Sequence, residues 1–553
     1  MRSRSATVRK VFVITSLLFA CSVTNAQLTV VSTSPGMNAS NVDWYAPISV
    51  TFDRAVNRST VTSRTFWAFG RYSGTAVGVI SFSNGDQTVT LTPDRRFQAG
   101  EVVTVFLANS LAAADTSNLR SAGYSWQFLT RVRCGGLNLS QIDSFTNRVA
   151  NVQTRIYGGI TTDFNGDGAI DIATINEVSA DMRMFLNRND GTGLMQPMLS
   201  PPLALQDEVS PNETGDFNRD GHADFAVASS NTNNACFALG NGDGTFAPAQ
   251  FLATSSRPHG VAITDADGDG DVDVLTANSV GSDISLFIND GNGVFSSGGA
   301  FEGGCDGEYG LIAADMTQDG ILDVVVGCQF GEQAVVMRGN GDGTFTPMTP
   351  QSIGGECWVI NAADVNGDGF LDIISGNSFN ANGAILMGDG AGGLAAPVTY
   401  PAPGHTPSTD VGDLDGDGDL DWVLSSFGGG AWRIYRNLGN GTFQFVQDIP
   451  APSNPSCSAL ADLDNDGDLD IVLFDEIADV VILYENTVDP PLGDIDLDGD
   501  VDLSDLAGLL AAFGTCDGDA GFNPGADLDD SGCIDLGDLA GLLSEFGTTC
   551  GPL

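Results

Sequence analysis

At 553 residues the chain has room for three or four domains, and a formal net charge of −49 argues against nucleic acid or an anionic membrane surface as a partner. With 42% of residues apolar and the acids spread through repeated loops rather than in blocks, the composition also argues against an acidic disordered chain.

The first 26 residues read as an export signal. Arg2, Arg4, Arg9 and Lys10 precede an apolar run at 11–20, and Thr24-Asn25-Ala26 offers a small-residue cleavage site. The run is too short to span a bilayer, and no other apolar stretch reaches that length, so no transmembrane segment is expected.

Residues 27–133 change to alternating patterns without acidic loops. Ile48, Val50 and Phe52 alternate with polar residues, and 79–82 faces 89–91 across Asn84-Gly85, a hairpin signal. Two more strands are predicted at 102–107 and 125–129, giving a small β-sandwich. Ser34-Pro35-Gly36, Thr92-Pro93-Asp94 and the closing Trp126-Gln127-Phe128-Leu129-Thr130 resemble the bacterial Ig-like domain. That resemblance implies a spacer without chemistry of its own.

From Asp163 to Asp470 one pattern, D-x-[D/N/T]-x-D-G-x-x-D, recurs seven times at steps of 53, 49, 50, 49, 49 and 49 residues. So strict a period marks one supersecondary unit copied seven times. Short apolar runs flank each copy, a third follows, and most copies then carry a Gly-x-Gly-x-Phe turn such as that at 242–246. Four short strands per copy are the content of one propeller blade.

Positions 1, 3, 5 and 9 of the pattern bring side-chain oxygens around one point. They are Asp163, Asn165, Asp167, Asp171; Asp216, Asn218, Asp220, Asp224; Asp265, Asp267, Asp269, Asp273; and Asp315, Thr317, Asp319, Asp323. The last three copies supply Asp364, Asn366, Asp368, Asp372; Asp413, Asp415, Asp417, Asp421; and Asp462, Asp464, Asp466, Asp470. Oxygen donors in that number suit a hard cation, Ca2+ better than Mg2+, and the invariant Gly at position 6 allows the sharp turn. Asp, Asn and Gly are also ordinary turn formers, but seven copies in register point to a shared ligand. Thr317 predicts a weaker fourth site.

At these residues the chain resembles the FG-GAP/VCBS repeat family of integrin-α-like propellers, over about residues 137–488. The resemblance implies a seven-bladed β-propeller with about seven Ca2+ ions and a face that recognises a protein or glycan. The seventh copy stops at Asn486 without its last strand, and residues 140–145 have no blade of their own. That N-terminal segment is therefore expected to complete the last blade.

After a linker with Pro490-Pro491, residues 493–551 hold a duplication offset by 33 residues. Asp494, Asp496, Asp498, Asp502 and Asp505, then Asp527, Asp529, Ser531, Asp535 and Asp538, occupy EF-hand-type loop positions, each loop running into an apolar helix. No helix precedes either loop, and the combination resembles a dockerin. It implies two more Ca2+ sites and a cohesin-like or cell-envelope partner. Leu503-Ser504 and Leu536-Gly537 stand where cellulosomal dockerins carry the Ser-Thr pairs presented to cohesin, so the resemblance is weaker for the partner than for the fold.

Ten cysteines agree with export, and antiparallel helices would bring Cys516 near Cys533, leaving Cys550 spare. Cys305, Cys328 and Cys357 are read as lying in neighbouring blades and able to form one bond. The three histidines form no catalytic constellation: His222 sits inside a loop, and His259 and His405 read as turn residues. The reading favoured by the sequence is a secreted, non-catalytic bacterial recognition protein, extracellular or cell-surface-attached. The alternatives are a polysaccharide-degrading lyase or glycoside hydrolase, and a structural element of the envelope.

Overall fold

The computed structural model describes residues 27–206, 209–487, 492–496, 500–529 and 531–548. The export signal, Asp498, Cys550 and Pro490-Pro491 lie outside the described residues.

The first domain is a two-sheet β-sandwich. One sheet orders Val30–Ser34, Ile48–Phe52, Thr88–Pro93 and Gly78–Ser83; the other orders Ala39–Val42, Tyr124–Thr130, Val102–Leu107, Phe66–Gly70 and Gly74–Thr75. The alternation read from sequence is real, since Ile48, Val50 and Phe52 face inward onto Val103, Val105, Trp126 and Phe128. The expected hairpin forms, with Val79 opposite Thr92 and Phe82 opposite Val89.

Seven sheets of four main strands follow in chain order, the fourth with an extra short pairing. In the first six, the strand before the acidic loop is hydrogen-bonded to the strand after it, and two further strands complete the sheet. The strand after each loop is wholly buried, as in Asp273–Asn278 and Asp470–Asp475, because neighbouring sheets cover both its faces. The innermost strands touch in sequence, and Ile156–Thr162 of the first sheet meets Pro455–Ala461 of the last, closing the ring. Among the described residues no sheet closes on itself; the ring closes by packing between sheets, which is the architecture of a β-propeller.

Among the described residues the last blade contains three strands of its own. Leu139–Thr146 pairs antiparallel with Val480–Asn486, from Leu139 opposite Asn486 to Thr146 opposite Val480. The strand exchange anticipated from counting strands is thus present. Arg148 anchors the joint by pairing with the buried Asp479 at 2.8 Å, whose oxygens also accept the Thr154 and Arg155 backbone N–H groups.

The C-terminal segment folds as two helices, Leu503–Ala512 and Leu536–Glu545. Val501, Leu509, Ala512, Ala526, Ile534 and Leu542 form its small core. Cys516 and Cys533 are bonded, as the antiparallel arrangement predicts. Cys305 and Cys328 also bond, but both belong to the fourth blade, and Cys357 stays free and buried. The single expected bond therefore forms, but within one blade rather than between neighbouring ones, because Cys305 immediately precedes the first strand of the blade that carries Cys328.

Candidate metal loops and the channel they surround

The propeller loops share a common set of hydrogen bonds. The carboxylate at position 9 accepts two backbone N–H groups, one from inside the loop and one from the end of the third strand or just beyond it: Asp171 accepts from Phe164 and Asn187, and Asp273 from Ala266 and Asn289. In the first six loops the carboxylate at position 1 accepts the N–H of the position-6 glycine, as Asp163 does from Gly168 at 2.8 Å. Those glycines have φ of 89° at Gly168, Gly221 and Gly270, a conformation other residues avoid.

The loops bring their acids together. Oxygens of Asp265, Asp267 and Asp269 lie within 4.8 Å of one another, as do those of Asp413, Asp415 and Asp421, and of Asp462, Asp464 and Asp466. In the first, second and fifth loops the position-3 residue is Asn165, Asn218 or Asn366, and its amide donates to the position-5 aspartate. Thr317 lies 3.5 Å from Asp315 in the fourth loop, through its hydroxyl. Asp413 Oδ1 and Asp462 Oδ1 are buried without a hydrogen-bond partner among the described residues. Burial lifts Asp171 and Asp224 up to about 8, and burial with repulsion from Asp415 and Asp413 lifts Asp421 to about 9. Orphaned oxygens in an all-oxygen set with suppressed ionisation fit a divalent cation, whose charge would reverse that suppression.

The C-terminal loops use position 12 in the same way. Asp505 accepts the N–H groups of Ile495, Asp496 and Asp502, and Asp538 those of Leu528, Asp529 and Asp535. Asp494, Asp496 and Asp505 converge, as do Asp500, Asp502 and Asp505. In the second loop Asp527 accepts the Ser531 and Gly532 N–H groups.

The β-sandwich is seated on the loop end of the propeller, which the spacer reading did not anticipate. Arg95 and Gln98 donate to the Gly166 and Gly168 carbonyls, Thr75 to Asp216, Trp67 to the Gly270 carbonyl, Arg120 to the Asp319 and Gly320 carbonyls, and Asn38 to the Gly369 carbonyl. Arg96 reaches Asn465 in the seventh loop. At the sixth loop, Gly416 lies so close to the linker that a Cβ would stand 2.5 Å from the Cys134 Cα. Every loop is therefore contacted. Trp67, Phe69 and Phe106 add an apolar contact onto Phe217 and Val272.

The hairpin joining Phe66–Gly70 to Gly74–Thr75 enters the central channel. Buried Glu101 braces its tip by accepting the N–H groups of Tyr72 and Ser73 at 2.8 and 2.9 Å, and the Tyr72 carbonyl accepts the Asp163 N–H at 2.8 Å. Arg71 at this tip points among the innermost strands, near Glu213 and Asp410. The channel is divided into a 230 Å3 space against the sandwich and a 150 Å3 space beyond it.

The opposite end carries aromatic rings. Tyr157, His259, Tyr309 and Trp358 each stand six residues before the first aspartate of their loop, so the repeat places them on one ring of positions. His259 stacks on Tyr309 at 3.6 Å between centroids, Trp358 packs at 4.9 Å from Tyr309 and 4.7 Å from His405, and Phe379 lies 5.2 Å from His405. Three residues before each loop the same strands carry Ile160, Glu213, Ala262, Ile312, Asn361, Asp410 and Ala459. His259 is a strand residue, 4% exposed, and not a turn residue as the sequence suggested.

Family models match what the geometry describes. The FG-GAP-like repeat model matches residues 216–276, 265–326, 315–375, 364–424 and 413–473, and the bacterial Ig-like domain model matches residues 24–130. The chain carries FG-GAP-like repeats behind a bacterial Ig-like domain. The Ig-like domain is thus the sandwich seated on the loops. None of the curated proteins matches the chain significantly. Among solved structures, a BBS1N–ARL6DN complex is similar at 10% identity, covering 63% of this chain and 97% of that one with a TM-score of 0.46. An Agrocybe aegerita lectin that recognises non-reducing terminal N-acetylglucosamine is similar at 17% identity, covering 72% and 94% with a TM-score of 0.40. A functionally unknown Desulfotomaculum acetoxidans protein is similar at 11% identity, covering 67% and 95% with a TM-score of 0.40. Likeness at this level carries no functional argument.

Sequence reasoning located the loops but missed Arg71, Glu213, Asp410 and the aromatic ring. Aligning the seven copies at their first aspartate and comparing the columns before it would have found all but Arg71. No helix among the described residues is long and apolar enough to cross a membrane.

Proposed function

We propose that this is an exported, calcium-loaded, non-catalytic recognition protein, which binds a protein or polysaccharide on the aromatic face of its propeller and is attached elsewhere by its C-terminal, dockerin-like module. About seven Ca2+ ions hold the propeller loops and two hold the module. The observation that carries the reading is the division of labour between the two ends of the ring. The loop end is covered by the Ig-like domain, whereas the other end is open and presents Trp358, Tyr157 and the 65%-exposed Phe379. An exposed Phe379 beside the half-buried Trp358 and Tyr157, around a concavity, marks a contact surface.

The module supports the attachment half. Its own core leaves Leu503 and Leu510 of the first helix and Phe513 at its end exposed, and likewise Leu536, Leu543 and Phe546 at the second. The two sets are equivalent by the 33-residue offset and form a matched apolar surface for a cohesin-like or cell-envelope partner. Affinity capture from the producing cell's envelope and medium, with the full chain in calcium, tests both halves. Deleting 493–551 should abolish envelope retention and leave ligand capture intact. Turnover of a polysaccharide by the full chain would replace this reading with the enzymatic one.

A further inference from the structure

We infer that the dead-ended channel under the aromatic ring is a binding site for the terminal sugar ring of a neutral saccharide chain. The inference deepens, and rests on, the reading of the open propeller face as a recognition surface. Three independent features of the channel lead to it.

The first is shape. The Ig-like hairpin closes the channel from the loop end, so a ligand enters from one side only and a polymer cannot thread through. The space beyond Arg71 and Tyr72 is 150 Å3, the size of cavity that accepts one six-membered ring. A chain end fits; an internal segment of a polymer does not.

The second is the lining at the entrance. Tyr157, His259 and Trp358 line this space from three blades, and Trp358 lies 4.9 Å from Tyr309. Flat aromatic faces pack against the C–H face of a sugar ring and leave its hydroxyl edge free for polar groups.

The third is the floor. Among the described residues Arg71 and Glu213 make no side-chain hydrogen bond or ion pair, although both line the channel. Asp410 accepts the Leu460 N–H at 3.1 Å and faces the same space. Ser458 Oγ, on the channel wall and 9% exposed, also has no hydrogen-bond partner among the described residues. A guanidinium offers only donors and a carboxylate only acceptors, so a group bridging them must do both, and a hydroxyl does. An anionic ligand would meet Glu213 and Asp410, and a cationic one would meet Arg71. A neutral ring carrying neighbouring hydroxyls satisfies all three.

The test is calorimetric titration of the full calcium-loaded chain with linear glucose, xylose and N-acetylglucosamine oligosaccharides of two to six units. One chain should bind per protein, with Kd changing less than about threefold between two and six units because only the end is held. Trp358→Ala and Glu213→Gln should each weaken binding at least tenfold, and Phe445→Ala, on the outer strand of the sixth blade, should leave it unchanged. Affinity that climbs with every added unit, or binding untouched in both Trp358→Ala and Glu213→Gln, overturns the inference while leaving saccharide recognition elsewhere on the propeller. If no oligosaccharide binds, the inference falls. The recognition reading falls with it only when affinity capture also returns no ligand.

Discussion

Removing calcium should collapse the propeller and release the Ig-like domain in one event. In the sixth loop Asp413, Asp415 and Asp421 are all buried, with oxygens within 4.8 Å of one another. At an effective dielectric of about 20, each ionised pair at that separation repels by roughly 3 kcal/mol, and three pairs by roughly 10 kcal/mol. Protons can replace the cation. Burial raises Asp413 to about 8 and Asp421 to about 9, so in calcium-free protein these groups stay neutral in acid and must ionise as pH rises. Their unfolded pKa is near 3.8, so the calcium-free fold loses stability between about pH 4 and pH 9 and is relatively protected below that window. The Ig-like domain loses its seat at the same time, since its bonds run to the loop carbonyls. Scanning calorimetry of the full chain should show the melting temperature falling by more than about 15 °C on chelation at pH 9, and by less than half as much at pH 6. Calcium-loaded protein should show little of this pH dependence. A change under about 2 °C at pH 9 in protein freed of metal would refute the reasoning.

Three other perturbations probe separate parts of the fold. Deleting 137–146 bares the edge of Val480–Asn486 and should convert the monomer into aggregates on size-exclusion chromatography, whereas a closed ring without that strand would stay monomeric. Asp505→Ala removes a carboxylate that accepts three backbone N–H groups, a loss of roughly 4 kcal/mol or more, so the module's helical signal should vanish while the propeller transition stays in place. Trp422→Ala empties a fully buried site in the sixth blade and should destabilise the propeller by about 3–5 kcal/mol in denaturant titration.

What the sequence made legible follows from which groups carry the signal. The loops were readable because their chemistry sits in side chains repeated in register, and Asp171, Asp224 and their counterparts occupy the same place in each blade. The exchanged strand was readable by counting, because the seventh copy ends at Asn486 one strand short. The seating of the Ig-like domain was not, because its acceptors are largely backbone carbonyls such as those of Gly168, Gly270 and Gly369, which have no residue signature. Arg71 escaped for a related reason: it belongs to the sandwich, and only the docked arrangement brings it beside Glu213 and Asp410. Cys305, Cys328 and Cys357 were readable as a set that supplies one bond, but which two meet was not, because the blade boundary decides which thiols share a sheet.

The central claim is that divalent cations hold the repeated loops, and counting the metal tests it most directly. Elemental analysis of the full chain, purified in calcium and passed through a metal-free column, should return about nine calcium ions per chain, falling toward eight when the Thr317-containing loop is the weakest. A chain that carries none, yet melts as it does in calcium, would contradict the account.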